Sequence, residues 1–370
     1  MQLSYWEKKS WLTNIDYTII GSGIVGLNCA LRLRKRFPKA KILIIEKGSS
    51  PQGASTKNAG FACFGSMTEI LHDLNTHSEE EVATLIKKRV NGLTYLRSLI
   101  GDTQLDYHQW GGTELFFLDQ EDIFSKCISS LNHINSLLEP IFGATTFRIQ
   151  STDKRFKKVL NNSIFTPFEG QIDTGAMMDA LVRKAYENGI YVLNNTEVLS
   201  FEEKHSKVAI ELKDYSFDTK KLCIATNGFS SLLIEEEVKP ARAQVLITKP
   251  IPNLPLEGTY HIDAGFYYFR NIDNRILLGG GRNIDFEGEE TVLMELNPLI
   301  QNQLDHILKE IILPNHEVEV DQRWTGIMGV GQSKTPIVKQ LSAHVYCGIK
   351  LGGMGVAIGS ATGNELANLI

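Results

Sequence analysis

The first fifty residues carry a strand pattern, a helix pattern and a second strand pattern in turn. Residues 17–20 (YTII) form a short run of apolar and β-branched side chains. Apolar residues then recur at the spacing of one helical face until Pro38, and residues 41–45 (KILII) form a second apolar run. This order predicts a βαβ unit, in which two parallel strands are connected by a helix.

A different pattern occupies the later part of the chain, where alternating runs rich in aromatic residues predict an antiparallel sheet. These runs span residues 240–247, 265–271, 275–283 and 318–329. Two types of sheet indicate two domains that are interleaved along the chain. The predicted α/β domain comprises residues 1–70, 148–230 and 318–370, and the predicted α+β domain comprises residues 71–147 and 231–317.

The turn between the first strand and the first helix reads GSGIVG, residues 21–26. Gly21 permits a tight turn, Gly23 lets backbone N–H groups approach a pyrophosphate, and Gly26 lets the helix pack closely on the strand. Glu46 ends the second strand, where a carboxylate binds ribose hydroxyls. This combination predicts a Rossmann-like domain. An acid at the ribose position disfavours a 2′-phosphate, which leaves NAD or FAD as the nucleotide.

A second segment of nearly bare backbone follows at residues 53–60, GASTKNAG. Small side chains leave backbone amides uncovered, so that a flat ring with polar edges can lie against them. The isoalloxazine of FAD is such a ring. A flexible loop without a ligand is the alternative that composition alone favours, but the position after a dinucleotide fingerprint favours the flavin. A nicotinamide dehydrogenase is disfavoured, because more alternating strands and helices would follow there.

Two further glycine-containing turns follow predicted strands. Residues 225–228 read ATNG, and residues 351–359 read LGGMGVAIG and lead into a helix that ends the chain. The N-terminus of such a helix presents the positive end of its dipole to whatever lies before it. Glycine used only for helix packing is the alternative, but it does not explain four glycines between positions 352 and 359.

These motifs resemble those of a known family. Residues 3–7 (LSYWE), the GSGIVG turn and above all GASTKNAG are similar to segments of the FAD-dependent amine and amino-acid oxidoreductases related to D-amino-acid oxidase, glycine oxidase, sarcosine oxidase and γ-glutamylputrescine oxidase. The resemblance extends over nearly the whole chain. It implies that GASTKNAG runs along the inner edge of the flavin, that the C-terminal turn faces the flavin N1–C2=O edge, and that Val198 lies near the adenine.

We therefore predict that FAD binds noncovalently to these turns and to residues beside them. The predicted contacts are Gly21, Ser22, Gly23, Ile24, Val25, Gly26, Glu46, Lys47, Ser55, Thr56, Asn58, Ala59, Gly60, Phe61, Val198, Ala225, Thr226, Gly228, Gly352, Gly353, Met354, Gly355, Val356 and Ala357. A covalent bond between Cys63 and the flavin is not expected, because a small buried Cys is the more common role.

One position departs from the resembled family. Its amino-acid oxidases bind the substrate carboxylate with an Arg in a motif similar to W-x-G-L-R-P, whereas residues 324–329 here read WTGIMG. Met328 thus stands where that Arg would be. The departure disfavours a glycine-like or D-amino-acid substrate. It brings the chain nearer the γ-glutamylputrescine oxidase branch, whose substrates are amines with a remote carboxylate or none.

Three residues are predicted to act on the substrate. Tyr268 and Arg270 are two positions apart in a predicted strand, so one face carries a hydroxyl and a cation towards the pocket, unless both are packed or solvated. Arg242, with Gln244, is a second candidate to anchor the substrate. Lys57 either promotes the reaction with dioxygen as a cation or reaches solvent.

Composition narrows the choice of partners. The net charge of −5, without a basic run, disfavours nucleic acid and anionic membrane surfaces. The five Cys show no C-x-x-C spacing and the nine His no metal-binding spacing, so we expect a reducing cytoplasm and no metal. The N-terminus lacks the apolar core of a signal peptide, and no window reaches membrane-spanning length.

The sequence thus predicts an FAD-dependent oxidoreductase that takes a hydride from the carbon beside the nitrogen of a small amine or amino acid, after which water hydrolyses the imine. The electron acceptor is dioxygen or another, unidentified oxidant. Two alternatives stay open. One is a flavin-binding sensor or scaffold with little turnover, which Met328 favours. The other is a flavoenzyme that modifies an aminomethyl uridine in tRNA, which the acidic composition disfavours.

Overall fold

The computed structural model describes residues 3–314 and 316–370. In chain order the strands are β1 Ile15–Ile20, β2 Ile42–Ile45, β3 Phe61–Ala62, β4 Gly112–Leu115, β5 Arg148–Ser151, β6 Asn162–Thr166, β7 Gly170–Gln171, β8 Tyr191–Leu193, β9 Val198–Lys204, β10 Lys207–Leu212, β11 Ser216–Ile224, β12 Lys239–Thr248, β13 Thr259–Ile262, β14 Tyr267–Ile272, β15 Arg275–Gly280, β16 Val320–Val330, β17 Ile337–Gln340 and β18 Val345–Ile349. The α-helices are α1 Tyr5–Trp11, α2 Ile24–Arg36, α3 Ala54–Lys57, α4 Met67–Leu74, α5 Glu79–Ile100, α6 Asp102–Leu105, α7 Glu121–Phe142, α8 Thr174–Glu187, α9 Pro298–Ile307 and α10 Gly355–Asn368. Short 3-10 turns span Asn227–Leu232 and Arg282–Ile284, and a π-helical turn spans Leu308–Ile312.

The first sheet is built around the βαβ unit predicted at the start of the chain. β1 lies between β2 and β11 and pairs with both in parallel, and β8 and β18 extend the parallel arrangement on either side. The strands β9, β10 and β17 join it in antiparallel pairs. Every residue of β2 and of β18 is buried, as expected of parallel strands that are covered on both faces.

Helices α2, α5, α8 and α10 pack against one face of this sheet and form its main apolar core. Two glycines allow the close approach of these elements. A Cβ at Gly26 would overlap the carbonyl oxygen of Gly21, and a Cβ at Gly92 in α5 would overlap that of Ala357 in α10. Gly26 therefore allows the close packing of helix and strand that the sequence predicted.

The second sheet runs in the order β16-β12-β15-β14-β13-β4-β6-β5. All its neighbouring pairs are antiparallel except β13 with β4, which pair in parallel from Thr259 beside Gly112 to Ile262 beside Leu115. The long connection between these two strands permits a parallel pair, since only directly joined hairpin strands must be antiparallel. The fold is thus the predicted Rossmann-like α/β domain interleaved with a domain built on a mainly antiparallel sheet.

The predicted domain boundaries need correction in three places. β5 and β6, within residues 148–230, and β16, within residues 318–370, hydrogen-bond in the second sheet. α5, within residues 71–147, packs beside the first sheet, where Ser360 Oγ of α10 donates to the carbonyl oxygen of Gly92 at 2.6 Å. For β16 the pattern of residues 318–329 predicted the antiparallel sheet correctly, and only the domain boundary was misplaced. For β5 and β6, sheet membership depends on pairing between distant segments, which local sequence patterns do not report.

Three chain segments that connect the domains meet at one point. The side-chain oxygen of Asn227, after β11, accepts hydrogen bonds from the backbone N–H groups of Lys350 and Leu351 at 3.1 and 3.2 Å. The N–H of Gly352 donates to the carbonyl oxygen of Gly329 in β16 at 3.0 Å. The turn after β18 is therefore fixed to both sheets.

Among the described helices, none has the length and apolar character to cross a membrane.

Candidate functional site

A cavity of about 1040 Å³ runs between the two sheets, and the bare-backbone turns found in the sequence line it. The Oγ of Ser55 accepts a hydrogen bond from the N–H of Ile24 at 2.9 Å, which joins the GASTKNAG segment to the GSGIVG turn. The Sγ of Cys63 lies 3.6 Å from the Sδ of Met354, which joins the same region to the C-terminal turn. Segments distant in sequence thus converge on one space.

Most of the predicted cofactor contacts line this cavity. They are Gly21, Gly23, Ile24, Val25, Glu46, Lys47, Ser55, Asn58, Ala59, Phe61, Val198, Ala225, Thr226, Gly352, Gly353, Met354, Gly355 and Val356. Their contacts with the nucleotide stay predictions. The cavity has the size expected of a site for a large organic ligand.

Six predicted contacts do not line the cavity: Ser22, Gly26, Thr56, Gly60, Gly228 and Ala357. Gly26 and Ala357 lie at the close packing contacts described above. The Thr56 hydroxyl donates to the carbonyl oxygen of Pro51, and a Cβ at Gly228 would overlap the carbonyl oxygen of Met328. Gly26, Ala357, Thr56 and Gly228 thus have packing or hydrogen-bonding roles within the protein, and the contact of all six positions with the cofactor stays a prediction.

Glu46 lies at the predicted end of the cavity, and its carboxylate is already hydrogen-bonded. Oε2 accepts from the N–H and the hydroxyl of Ser22, at 3.1 and 2.6 Å, and Oε1 accepts from the N–H of Gly48 at 2.9 Å. The carboxylate therefore holds two turns together and is fixed in place. Nearby Lys47 forms an exposed ion pair with Glu197 at 2.7 Å.

Asn58 shapes the GASTKNAG segment from within. Its Nδ2 donates to the carbonyl oxygens of Ala54 and Ser55 at 3.2 and 2.8 Å, and its Oδ1 accepts from the N–H of Gly60 at 2.8 Å. The hydroxyl of Thr174 in α8 donates to the same Oδ1 at 3.0 Å. The Asn58 side chain is thus fully used by the protein.

The residues present fit the predicted FAD. The hydroxyl oxygen of Thr226, on the cavity wall, is buried without a protein partner, and buried polar atoms are normally hydrogen-bonded. The helix α10 begins at Gly355, directly after lining residues, so the positive end of its dipole points at the cavity. Cys63 is buried, and burial raises its pKa well above the usual value. It is therefore a neutral thiol at neutral pH, and the noncovalent binding of FAD stays a prediction.

The second sheet contributes an aromatic wall. Tyr268 in β14 and His261 in β13 are paired across the two strands, so their side chains lie on one face. Both line the cavity, and each ring centroid lies 5.4 Å from that of Phe61. Burial raises the pKa of Tyr268 to about 12, and its hydroxyl has no protein partner among residues 3–314 and 316–370. This hydroxyl is a neutral donor that is available to a ligand.

Arg270, the other predicted substrate residue on this strand, does not line the cavity. It is 2% exposed, and its guanidinium donates to the carbonyl oxygens of Ala59 and Ile172. A third hydrogen bond reaches the carbonyl of Asn271 at 3.5 Å. Arg270 therefore fixes the GASTKNAG segment to the turn before α8 and to the second sheet. The predicted role as a substrate anchor is corrected, because backbone carbonyls use its donors.

Arg242 is equally occupied. Its Nε and Nη2 donate to the two carboxylate oxygens of Glu289 at 3.0 and 2.7 Å, and Gln244 donates to the same carboxylate at 3.1 Å. Glu289 is fully buried. A further bond from Arg242 to the carbonyl of Leu293 holds the following loop, whose Val292 and Met294 line the cavity. Arg242 is thus a support for a wall of the cavity.

Lys57 lines the cavity, and its Nζ has no ion-pair partner within the described residues. Its carbonyl oxygen accepts a hydrogen bond from Nε1 of Trp324 at 2.9 Å, which attaches the segment to β16. Both of its predicted roles stay open on this geometry.

The sequence did not predict two side chains that line the cavity, His261 and Arg282. His261 forms a buried ion pair with Glu169, with an Nε2 to Oε2 distance of 2.8 Å. Arg282 lines the cavity immediately after the glycines that end β15. For Arg282, the only signal in the sequence was its position directly after the three glycines at the end of a predicted strand. For His261 there was no signal, because a single His in a strand forms no motif. Among the described residues, no group of three or more His, Cys, Asp or Glu is arranged to hold a metal ion.

The chain is similar to known proteins. The chain matches the DAO family, described as FAD dependent oxidoreductase, over residues 16–369. The probable oxidoreductase OrdL of Haemophilus influenzae is 20% identical over 380 residues, which cover 97% of this chain and 83% of that protein.

Solved structures share the fold. Glycine oxidase from Geobacillus kaustophilus is 18% identical with a TM-score of 0.77, covering 96% of this chain and 94% of its own. Iminodiacetate oxidase from Chelativorans sp. BNC1 is 19% identical with a TM-score of 0.76, covering 95% of this chain and 94% of its own. Because the family match spans nearly the whole chain, this protein belongs to the DAO family of FAD-dependent oxidoreductases.

Proposed function

We propose that this protein oxidises the C–N bond of a small amine or amino acid and that water hydrolyses the resulting imine. One observation carries the proposal: the glycine turns suited to FAD and the wall with Tyr268 line the same cavity. Two proteins of this fold are named for glycine and iminodiacetate, and both compounds contain a C–N bond. That likeness favours the same bond here.

Bound FAD supplies the acceptor for the hydride, and the residues of the chain bind, orient and shield the substrate. The apolar side chains of Val245, Ile327 and Met328 line the cavity and exclude water from it. The Tyr268 hydroxyl donates a hydrogen bond to the substrate, because its raised pKa keeps it protonated. The N-terminus of α10 stabilises negative charge that develops near it.

The test is a panel of amines and amino acids added anaerobically to the purified, FAD-loaded protein. Loss of the flavin absorption near its visible maximum with one class of amine is the expected result. The same panel in air reports the acceptor, since hydrogen peroxide forms only when dioxygen is reduced. Tyr268→Phe should slow flavin reduction about tenfold or more, as removal of a positioned hydrogen bond does. Tyr260→Phe is the matched control, because Tyr260 stacks on Phe269 at 4.6 Å outside the cavity.

A flavin-binding sensor or scaffold is the second candidate, and Met328 favours it. The cavity around Met328 contains sulfur atoms at the place where the resembled amino-acid oxidases have a cation. A Cβ built on Gly353 would lie 3.5 Å from Met328 Sδ, and Met354 contacts Cys63. A yellow protein whose flavin no amine reduces, but which dithionite reduces, would support the sensor and contradict the enzyme.

A further inference from the structure

Arg282 is a half-buried cation on the cavity wall that the protein itself does not neutralise. It follows β15 at a turn where Gly281 adopts φ 83°, a left-handed conformation that favours glycine. The centre of its guanidinium lies 4.8 Å from the ring centroid of Phe286, and this contact orients the group. Within residues 3–314 and 316–370, its guanidinium makes no hydrogen bond or ion pair, and no other Arg lines the cavity.

The two acids whose charges act on Arg282, Glu289 and Glu290, are already paired with other cations. Glu289 binds Arg242 at 2.7 Å, and Glu290 binds Lys239 at 2.9 Å. Burial lowers the pKa of Arg282 because the charged guanidinium is partly removed from water. The guanidinium nevertheless stays protonated at neutral pH. A desolvated charge costs free energy unless it is paired. The cavity wall therefore has an unmet requirement for an anion.

The surroundings of Arg282 differ from the region around Met328. The guanidinium lies over the ring of Phe286, which packs edge-to-face on the cavity-lining Phe266 with 5.8 Å between the ring centroids. A charge-assisted hydrogen bond to Arg282 thus forms beside apolar rings, where such a bond is strong. Met328 carries no charge, and Lys334 beside the C-terminal turn is paired with Asp73 at 2.8 Å. Lys57 is unpaired, but its ammonium lacks the planar fork that binds a carboxylate through two hydrogen bonds. An anionic group of a ligand is thus attracted to Arg282 and not to position 328.

We propose that Arg282 is a specificity-determining residue that binds a carboxylate of the substrate through its planar guanidinium. The substrate class is then an amine that carries a carboxylate, in preference to a simple alkylamine. This inference rests on the proposed amine oxidation, which it makes more specific. The carboxylate is held by the first residue of the 3-10 turn that follows β15, and neither Arg242 nor Arg270 takes part directly.

The experiment measures ligand binding without turnover. Acetate and its neutral isostere acetamide are titrated into the FAD-loaded protein, and the change in flavin absorption gives each Kd. Arg282→Gln should raise the Kd of acetate tenfold or more and leave that of acetamide unchanged, whereas Arg282→Lys should retain part of the affinity. Arg275→Gln is the matched control. Arg275 begins the same strand and pairs with Asp321, away from the cavity lining, so its loss should leave both Kd values unchanged.

Substrate pairs separate the two proposals. Alanine and ethylamine differ only by the carboxylate. The wild-type protein should have a higher kcat/KM for alanine than for ethylamine. Arg282→Gln should abolish this preference by raising the KM for alanine. If the acetate Kd is unchanged in Arg282→Gln, or if acetate does not bind to the wild-type protein, the inference is overturned, even where amines reduce the flavin. If acetate binding depends on Arg282 but no amine reduces the flavin, the anion site stands and the proposed oxidation fails.

Discussion

Nε2 of His261 lies 2.8 Å from Oε2 of Glu169, and both side chains are buried beside the cavity. The same carboxylate oxygen accepts from the Thr259 hydroxyl at 2.8 Å, while Oε1 is buried without a partner. Burial alone lowers the pKa of His261, but the charge and hydrogen bond of Glu169, with Glu69 and Glu114 adding to them, raise it to about 9. The imidazole is therefore charged at neutral pH.

This pair makes stability depend on pH. The folded pKa of His261, about 9, exceeds the ordinary value of 6.5, so its stabilisation is fully present below about pH 6.5 and is lost as the pH rises through 9. The loss is on the order of 3 kcal/mol. Urea unfolding of the wild type and of the double variant His261→Gln/Glu169→Gln should therefore give free energies whose difference changes by this amount between pH 6 and pH 10.

The exposed pair of His108 with Asp106, 2.9 Å apart, supplies the control for that measurement. Exposed ion pairs contribute little to stability, so His108→Gln should leave the pH profile of unfolding unchanged. Parallel profiles for the wild type and the His261/Glu169 double variant would contradict the assigned charge of His261.

Gly26→Ala should disrupt the first turn. The added Cβ would overlap the carbonyl oxygen of Gly21, and α2 would have to move away from β1. Overpacking of this kind typically costs about 1–3 kcal/mol, and we expect loss of FAD from the purified protein as well. Thermal unfolding and the absorption ratio of flavin to protein measure both effects.

Gly53→Ala is the matched control for folding stability. Gly53 has φ −75°, and no atom lies within 4 Å of the position of its Cβ. Its unfolding temperature should match that of the wild type or slightly exceed it, because Ala restricts the unfolded chain. Equal unfolding temperatures for Gly26→Ala and the wild type would refute the packing argument.

Arg270→Gln should impair FAD retention more than substrate affinity. The substitution leaves the carbonyl oxygens of Ala59 and Ile172 without their buried donor, and each such loss costs about 1–3 kcal/mol. The GASTKNAG segment then loosens, and FAD should dissociate faster, as release of free flavin fluorescence would show. A KM that rises for carboxylate-bearing amines while FAD release stays at the wild-type rate would restore Arg270 as a substrate anchor.

Lys57→Met tests the remaining catalytic prediction. If the unpaired Lys57 cation promotes electron transfer to dioxygen, reoxidation of the reduced enzyme by dioxygen should slow about tenfold or more, with flavin reduction by amine unaffected, because charge near the reacting centre attracts a developing anion. Stopped-flow absorption separates the two half-reactions. Lys47→Met, which removes the exposed partner of Glu197, is the comparison. Equal reoxidation rates would leave Lys57 a solvent-facing residue.

The sequence predicted the parts of the site that depend on local backbone chemistry. The GSGIVG turn, GASTKNAG and the C-terminal glycines need bare backbone, and that requirement is visible in a single segment. The partners of long side chains were not predictable in this way. Arg270 and Arg242 were expected at the substrate, but their partners Ala59, Ile172 and Glu289 come from segments far away in sequence.

The same limit explains why β5 and β6 were assigned to the wrong domain, since only their pairing with distant strands places them in the second sheet. For β16 the local pattern did predict the antiparallel sheet, and only the predicted domain boundary separated it from that sheet. His261 escaped notice because a single His in a short strand has no motif, and its charge arises only when folding brings Glu169 beside it.

The core beside the first sheet joins segments that are far apart in sequence, and this has a consequence for biosynthesis. β18 pairs with β11, and α10 packs on α2 and α5, so the core that β1 and α2 begin is complete only after residues 345–368 have been translated. Until then the early apolar segments of the nascent chain stay exposed or are shielded by a chaperone. A chain that terminates before β18 should therefore be degraded and should not be a partly active enzyme.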